Sequence, residues 1–206
     1  MMKLTIIGNR SQFDYVARLF PQVAWTRVDE FPDYEASDES DGYFYMGPAL
    51  ESATFDEIQT SKPVFINAVP TTLSALTSLK NVVRINGWNG FLEHKVWEVA
   101  GTMSNDVTTI LGALDKRWIT VPDEPGFISA RVIAMIINEA YYALTEGVSN
   151  KEAIDTAMKL GTNYPYGPFE WSEKIGVNSI YQLLIVLYTE NERYKPAAAL
   201  VQAALQ

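Results

Sequence analysis

Apolar residues along this chain follow two rhythms. Over the first 121 residues they come in short runs of four to six, at 3–7, 23–28, 42–46, 63–67, 82–85 and 117–121. Each run is bounded by turn-forming residues, and helical stretches at 12–20, 55–60, 72–79 and 106–114 lie between them. Strands alternating with short helices predict parallel pairing in a small doubly wound sheet. From Pro125 onward the rhythm changes to the helical period. Ile128, Val132, Met135, Ile136, Tyr141 and Leu144 recur near 3.6 residues, and Ile133, Ile137 and Ala140 fill the flanks. A helix apolar on most of its faces is covered on most of its faces, so 127–146 reads as a core helix or half of a subunit interface. Gly147 supplies its stop. Ser149 to Glu152 reads as a capping box for a second helix that runs through Leu160 and closes at Gly161. A short helix at 168–175 stops at Gly176, Asn178 caps a helix over 180–190, and 197–205 closes the chain. Pro122 and Pro125 mark the change of rhythm, giving a sheet domain at 1–122 and a helical domain at 123–206.

Composition narrows the function classes. Apolar residues make up 48% of the 206, which places the chain among folded globular proteins. A net charge of −9 excludes the broad basic face that sequence-independent binding to nucleic acid or anionic membrane requires. Cysteine is absent, which removes disulfides, thiolate metal sites and a cysteine nucleophile. The start, MMKLTIIGNR, meets a glycine and a charge too early for a signal peptide, and the apolar run at 180–188 is about half a membrane span. A cytoplasmic protein is the expectation.

The residues after 122 carry a denser signal. PGFI with Arg131, NEA at 138–140, EGV at 146–148, the run through Ile154, Asp155, Ala157 and Met158, and LGTNYPYGPFEW at 160–171 occur in one order. With the closing Arg193-Tyr194-Lys195-Pro196 they resemble the C-terminal domain of the 3-hydroxyacyl-CoA (3-hydroxybutyryl-CoA) dehydrogenases. The resemblance implies an α/β plus all-α fold: a trimmed Rossmann-like parallel sheet domain, then a helical domain like the C-terminal domains of this family and of 6-phosphogluconate dehydrogenase. It also implies pairing of two copies through the helical domain.

Ahead of residue 122 the resemblance is patchy at the positions that carry chemistry. The first βα turn is where a dinucleotide fingerprint G-x-G-x-x-G sits. The chain reads G-N-R-S-Q-F there, keeping Gly8 and placing Arg10 and Phe13 at the other two glycine positions. Arg10 brings a side chain to a place where pyrophosphate meets bare backbone, and Phe13 crowds the packing of helix on strand. Asp29 lies 21 residues after Gly8, where an acid accepts ribose hydroxyls, although a solvated loop carboxylate is the simpler use of an Asp ending a strand. An acidic loop, 32–41, stands in for a long helical hairpin that in the resembled family grips CoA.

The stretch from Arg84 to Gly101 resembles the family's catalytic segment. Matching on Gly87 puts Asn89 at the catalytic His, Leu92 at an Asn, and Glu98 at the Glu that orients the His. Thr71 falls at the first serine of the family's S-S-L-S turn, whose hydroxyl assists catalysis; helix capping is its other use. Ala130 stands where the family carries an Asn near substrate and cofactor. Oxidation of a 3-hydroxyacyl group needs a proton acceptor at the hydroxyl, and an Asn side chain cannot be one. His94, the one histidine, comes five positions later and reads as a surface residue.

The residues support three readings. The first is a dehydrogenase-like protein with lost or strongly reduced NAD-dependent activity that acts as a binding or assembly module, with no cofactor expected and an acyl-CoA-like small molecule as its candidate ligand. The alternative is a working NAD-dependent 3-hydroxyacyl-CoA dehydrogenase of fatty-acid metabolism with an atypical site. The third keeps the fold with an unrelated ligand.

Overall fold

The structure is a computed structural model describing residues 1–29, 39–47, 60–77 and 79–206. The acidic loop expected at 32–41 falls mostly outside the described residues, as does nearly all of the helix expected at 55–60. The chain forms two compact units, Met1–Phe127 and Ile128–Gln206.

In the first unit β1 (Lys3–Ile7), α1 (Arg10–Leu19), β2 (Ala24–Val28), β3 (Gly42–Tyr45), β4 (Val64–Asn67), α2 (Leu73–Leu76), β5 (Val82–Ile85), β6 (Val96–Gly101), α3 (Asn105–Ala113) and β7 (Arg117–Thr120) follow in order. The strands make one sheet, β2-β1-β3-β4-β5-β6-β7. Every neighbouring pair is parallel except β5 with β6. That exception departs from the all-parallel expectation. The ten residues between Ile85 and Val96 are too few for a crossover, so the chain can only reverse.

Strand alternation divides the side chains between two faces. Leu4, Ile6, Phe44, Phe65, Val83, Ile85, Trp97 and Val99 meet Val16 and Phe20 of α1 and Val107, Ile110 and Leu111 of α3 in one core. Phe44 and Phe65, on adjacent strands, stack at 4.5 Å between ring centroids. Ile7, Tyr43, Tyr45, Val64, Ile66 and Val82 turn to the other face and meet Leu76 of α2.

Arg84 lies on that second face and has no accessible surface. Its Nε donates to the Ala68 carbonyl (2.9 Å), Nη2 to those of Val69 (3.3 Å) and Glu124 (3.2 Å), and Nη1 to Asp123 Oδ1 (2.5 Å). The guanidinium also sits 4.5 Å over the Phe127 ring. One side chain thus ties β5 to the loop after β4 and to the segment that leaves β7. Phe127 holds a left-handed φ of 50°, and Gly126 before it, at φ 83°, donates to the Val69 carbonyl at 2.8 Å.

The second unit contains α4 (Ser129–Thr145), α5 (Lys151–Thr162), α6 (Pro168–Ile175), α7 (Val177–Glu190), a 3-10 turn (Glu192–Tyr194) and α8 (Ala198–Ala204). Ala130, Ile133, Ala134, Ile137, Asn138, Ala140 and Tyr141 are the buried residues of α4. Gly147 ends the region at φ 72°, with Val148 N–H reaching back to the Ala143 carbonyl. Three boundaries differ from the sequence expectation. Asn150, not Ser149, caps α5, its side chain accepting from the Ala153 amide. Gly161 stays helical, and Asn163, at φ 55°, makes the stop. Asn178 lies inside α7, with Gly176 in the cap position.

Two buried polar side chains hold this unit. Asn138 donates to the Lys195 carbonyl (2.9 Å) and accepts from the Ala197 amide (2.8 Å), fastening the closing segment to α4. Asp155 of α5 accepts from the amides of Phe169 (2.8 Å) and Glu170 (3.2 Å), capping α6 from outside its own sequence.

Two stability predictions follow from these clamps. Arg84→Ala removes the cation beside Asp123 and the donor to the Ala68 and Glu124 carbonyls, and should cost roughly 3–5 kcal/mol of unfolding free energy. Asn138→Ala should cost roughly 1–3 kcal/mol, by leaving the buried Ala197 amide without its acceptor. Denaturant midpoints at unchanged slope check both. A shift under about 0.5 kcal/mol, the size of an ordinary surface substitution, would contradict the clamp in question.

Candidate functional site

In an open parallel sheet ligands sit beyond the carboxyl ends of the strands, at the point where strand order reverses. Here that point lies between β1 and β3, with β2 on the far side of β1. Met46 N–H donates to the Ile7 carbonyl at 2.9 Å, and Gly8 N–H to that of Val28 at 3.0 Å, which draws the three strand ends together.

The turn after β1 is tied together by its own side chains. Asn9 caps α1, accepting from the Gln12 amide at 3.0 Å, and Gln12 Oε1 accepts from the Asn9 amide at 2.9 Å. This is a reciprocal capping box. Gln12 Nε2 donates in addition to the Met46 carbonyl, across the switch point. Gly8 is buried beneath this side chain, and a Cβ added to it would meet Gln12 Oε1 at 2.6 Å. Sequence reasoning assigned the obstruction to Arg10. The structure sends Arg10 along α1, to an ion pair with Asp14 at 3.0 Å and onto the Phe13 ring. Phe13 packs against the core beneath α1. The residue that lies over the glycine is Gln12, and the sequence signal for it was the N-x-x-Q spacing from Asn9.

Asp29 follows β2 as an exposed carboxylate paired with Arg27, and Arg27 Nη1 also donates to the Gly8 carbonyl at 3.3 Å. Gly8 and Asp29 are therefore brought together, through an arginine. At this turn a side chain covers the bare backbone of Gly8, the Asn9 and Gln12 amides are bonded to each other's side chains, and Asp29 already has a cationic partner.

The remaining candidates lie on three other segments. Thr71 is half-buried just before α2. It is not the cap, since Thr72 holds that position without capping through its side chain. Asp123 performs the capping instead, accepting from the amides of Leu73 (2.9 Å) and Ser74 (3.1 Å) while it pairs with Arg84. Asn89 is exposed in the turn between β5 and β6. Glu98 is half-buried in β6, in register with Ile119 and on the face opposite Trp97 and Val99. Leu92 is a core residue whose carbonyl accepts from Trp97 Nε1 at 3.2 Å. Ala130 is buried in the first turn of α4.

The turn that holds Asn89 is pinned along its length. Gly87 N–H donates to Asn67 Oδ1 (3.0 Å), and Gly90 N–H to the Tyr15 hydroxyl (3.3 Å), which itself donates to Glu93 (3.1 Å). Burial, with Glu93 alongside, raises the Tyr15 hydroxyl above its ordinary range. Lys116 Nζ donates to the carbonyls of Leu92 (2.9 Å) and His94 (2.8 Å) and lies between the Phe20 and Trp97 rings. Burial lowers its affinity for the proton. His94 is exposed, its ring against Phe91. Among the described residues no group of three His, Cys, Asp or Glu side chains could hold a metal, and no helix is long and apolar enough to cross a membrane.

Asp123 gives this region a pH dependence. Partial burial pushes its carboxyl up, but the Leu73 amide, Arg84 and the Ser74 amide outweigh that and hold it below the usual carboxylate range. A depressed folded value means that the stabilisation is complete above roughly pH 4 and is lost as pH falls through the folded value. Asp123→Asn should therefore be less stable than the parent at neutral pH, with the gap closing in acid. Urea midpoints at neutral and acid pH test this; a gap unchanged in acid would remove the carboxylate from the account.

Residues 126–205 match the family model described as 3-hydroxyacyl-CoA dehydrogenase, C-terminal domain. Ninety-two residues are 47% identical to a 3-hydroxyadipyl-CoA dehydrogenase of Escherichia coli, covering 44% of this chain and 19% of that protein. A probable 3-hydroxybutyryl-CoA dehydrogenase of Bacillus subtilis is 39% identical over 97 residues, 46% of this chain and 34% of its own length. The chain thus matches well under half the length of these relatives. Among solved structures, an (S)-3-hydroxybutyryl-CoA dehydrogenase from Ralstonia eutropha aligns with TM-score 0.70 at 19% identity, over 98% of this chain and 93% of that one. At that identity the likeness is one of fold: a Rossmann-like sheet followed by a helical domain.

Proposed function

We propose, on the match of residues 126–205 to the 3-hydroxyacyl-CoA dehydrogenase C-terminal domain, a dehydrogenase-like protein with lost or strongly reduced NAD-dependent activity, acting as a binding or assembly module. The observation that carries the proposal is the turn between β5 and β6. Asn89, the residue matched to the catalytic histidine, is an exposed carboxamide there, Leu92 is buried in the core, and Lys116 holds the backbone at His94. A carboxamide accepts no proton at working pH. Loss of a general base costs about 10²–10⁴-fold and loss of an oxyanion donor about 10²–10³-fold, the two not being additive within one site. No cofactor is expected, because the first βα turn is closed over Gly8.

The expected outcome is reduction of acetoacetyl-CoA by NADH near the uncatalysed background, followed by nicotinamide absorbance. Asn89→His alone should leave it there, since the cofactor turn is unchanged. Turnover at several per second would instead support the second reading, an NAD-dependent 3-hydroxyacyl-CoA dehydrogenase of fatty-acid metabolism with an atypical site. The observation that favours this second reading is the place of Asp29 at the end of β2. His94 would then be the first residue to substitute.

The module reading includes a homodimer through the helical unit, an acyl-CoA-like ligand, a cytoplasmic setting and no role for nucleic acid or membrane. Its support is α4: Ile128 and Val132 are 54% and 52% exposed, one turn apart, and Met135 and Ile136 continue the same face half-buried. Val132→Glu or Met135→Glu should shift the mass from dimer to monomer in light scattering, with helical content retained. A parent protein that is monomeric at high micromolar concentration would contradict the dimer.

A further inference from the structure

We infer that Gln12 is a built-in occupant of the pyrophosphate position at the first βα turn, and that this one side chain keeps the turn closed to dinucleotides. The inference rests on the reading above, that this turn is a cofactor cradle out of use, and adds how it is kept out of use.

A pyrophosphate binds such a turn through amides at the start of the helix and through close approach to a bare glycine. Gln12 takes one amide of the turn and covers the glycine. Its Oε1 takes the Asn9 amide at 2.9 Å and lies where a Cβ on Gly8 would stand, 2.6 Å away. Its Nε2 spans to the Met46 carbonyl at the end of β3, so the carboxamide bridges the switch point. Two independent ties fix its orientation, and both of its polar atoms are satisfied. The other departures from the fingerprint leave the space free: Arg10 is directed to Asp14 and Phe13 into the core. Opening the turn needs rotation of a half-buried glutamine side chain and no change of strand order or helix start.

The test separates this inference from the functional reading. NADH binding is followed by nicotinamide fluorescence for the parent, Gln12→Ala and Gln12→Glu, together with amide exchange at Asn9. Gln12→Ala should expose the Asn9 amide and speed its exchange. It should also tighten NADH by about tenfold or more, since the closed state no longer competes. Gln12→Glu keeps an acceptor for Asn9 and adds a negative charge, so it should protect that amide and bind no better than the parent. Equal NADH affinity in Gln12→Ala and the parent, or unchanged exchange at Asn9, overturns the inference and leaves the functional reading standing. Micromolar binding by the parent overturns the functional reading, and with it the closed turn.

Discussion

The guanidinium of Arg84 has no accessible surface, and its position constrains much of the sheet unit. A buried cation must be met by acceptors on every side. Those acceptors come from the loop after β4 and from the segment after β7, which are separated by more than fifty residues of chain. Satisfying one side chain therefore fixes where two distant loops run. Burial lowers the proton affinity of Arg84, yet a guanidinium stays charged at any pH a protein meets, so the constraint is permanent. Asp123 then has a carboxylate left to cap α2, which orders the turn carrying Thr71. The strained φ of Phe127 is held in the same cluster, with its ring against the cation.

The same device recurs in a chain that has no disulfides. Lys116 holds the reversal between β5 and β6 by two carbonyls and two rings. Asn138 and Asp155 each reach from a helix to the backbone of a later segment. Each clamp is a side chain bonded to main-chain groups of a distant segment, so each makes register and loop path mutually dependent. Where a buried group is left without a partner, as at the Ala197 amide, the cost of losing the clamp exceeds the net worth of its hydrogen bond.

Elements with strong periodicity could be read from the sequence nearly to the residue. β1 and β5 have the expected bounds, whereas α4 buries the flanking Ile133, Ile137 and Ala140 together with Tyr141 and leaves Ile128 and Val132 of the expected stripe exposed. The misses share a physical cause. The antiparallel β6 depends on the length of a connection, not on the pattern within the strand. Gly161 was read as a stop although a glycine can continue a helix at modest cost, and Asn163 supplied the left-handed turn two residues on. At the site, residue identity alone decides that the Asn89 carboxamide accepts no proton, and the structure adds that it is exposed. The role of Gln12 could not be read, since it depends on where its carboxamide turns, and that is set jointly by Asn9 and Met46.

A cradle for a diphosphate carries a cost when nothing occupies it. Amides at a helix start point outward with no intrahelical partner, and a bare glycine leaves backbone uncovered. Binding a dinucleotide discharges that cost; a protein that does not bind one is more stable if its own side chains do so. Asn9 and Gln12 are the residues that do this here, and a reciprocal cap is worth on the order of 1 kcal/mol to the helix it starts. The residue matched to the general base, Asn89, meanwhile sits in a turn stitched to α1 and to the start of β7. Under the proposed function both arrangements put internally bonded groups where a catalytic site keeps preorganised, unsatisfied ones, in the direction expected when stability is not held in check by catalysis. On the proposed reading, closure of the cofactor turn and the absence of a base at Asn89 are one physical change seen at two places on the same sheet.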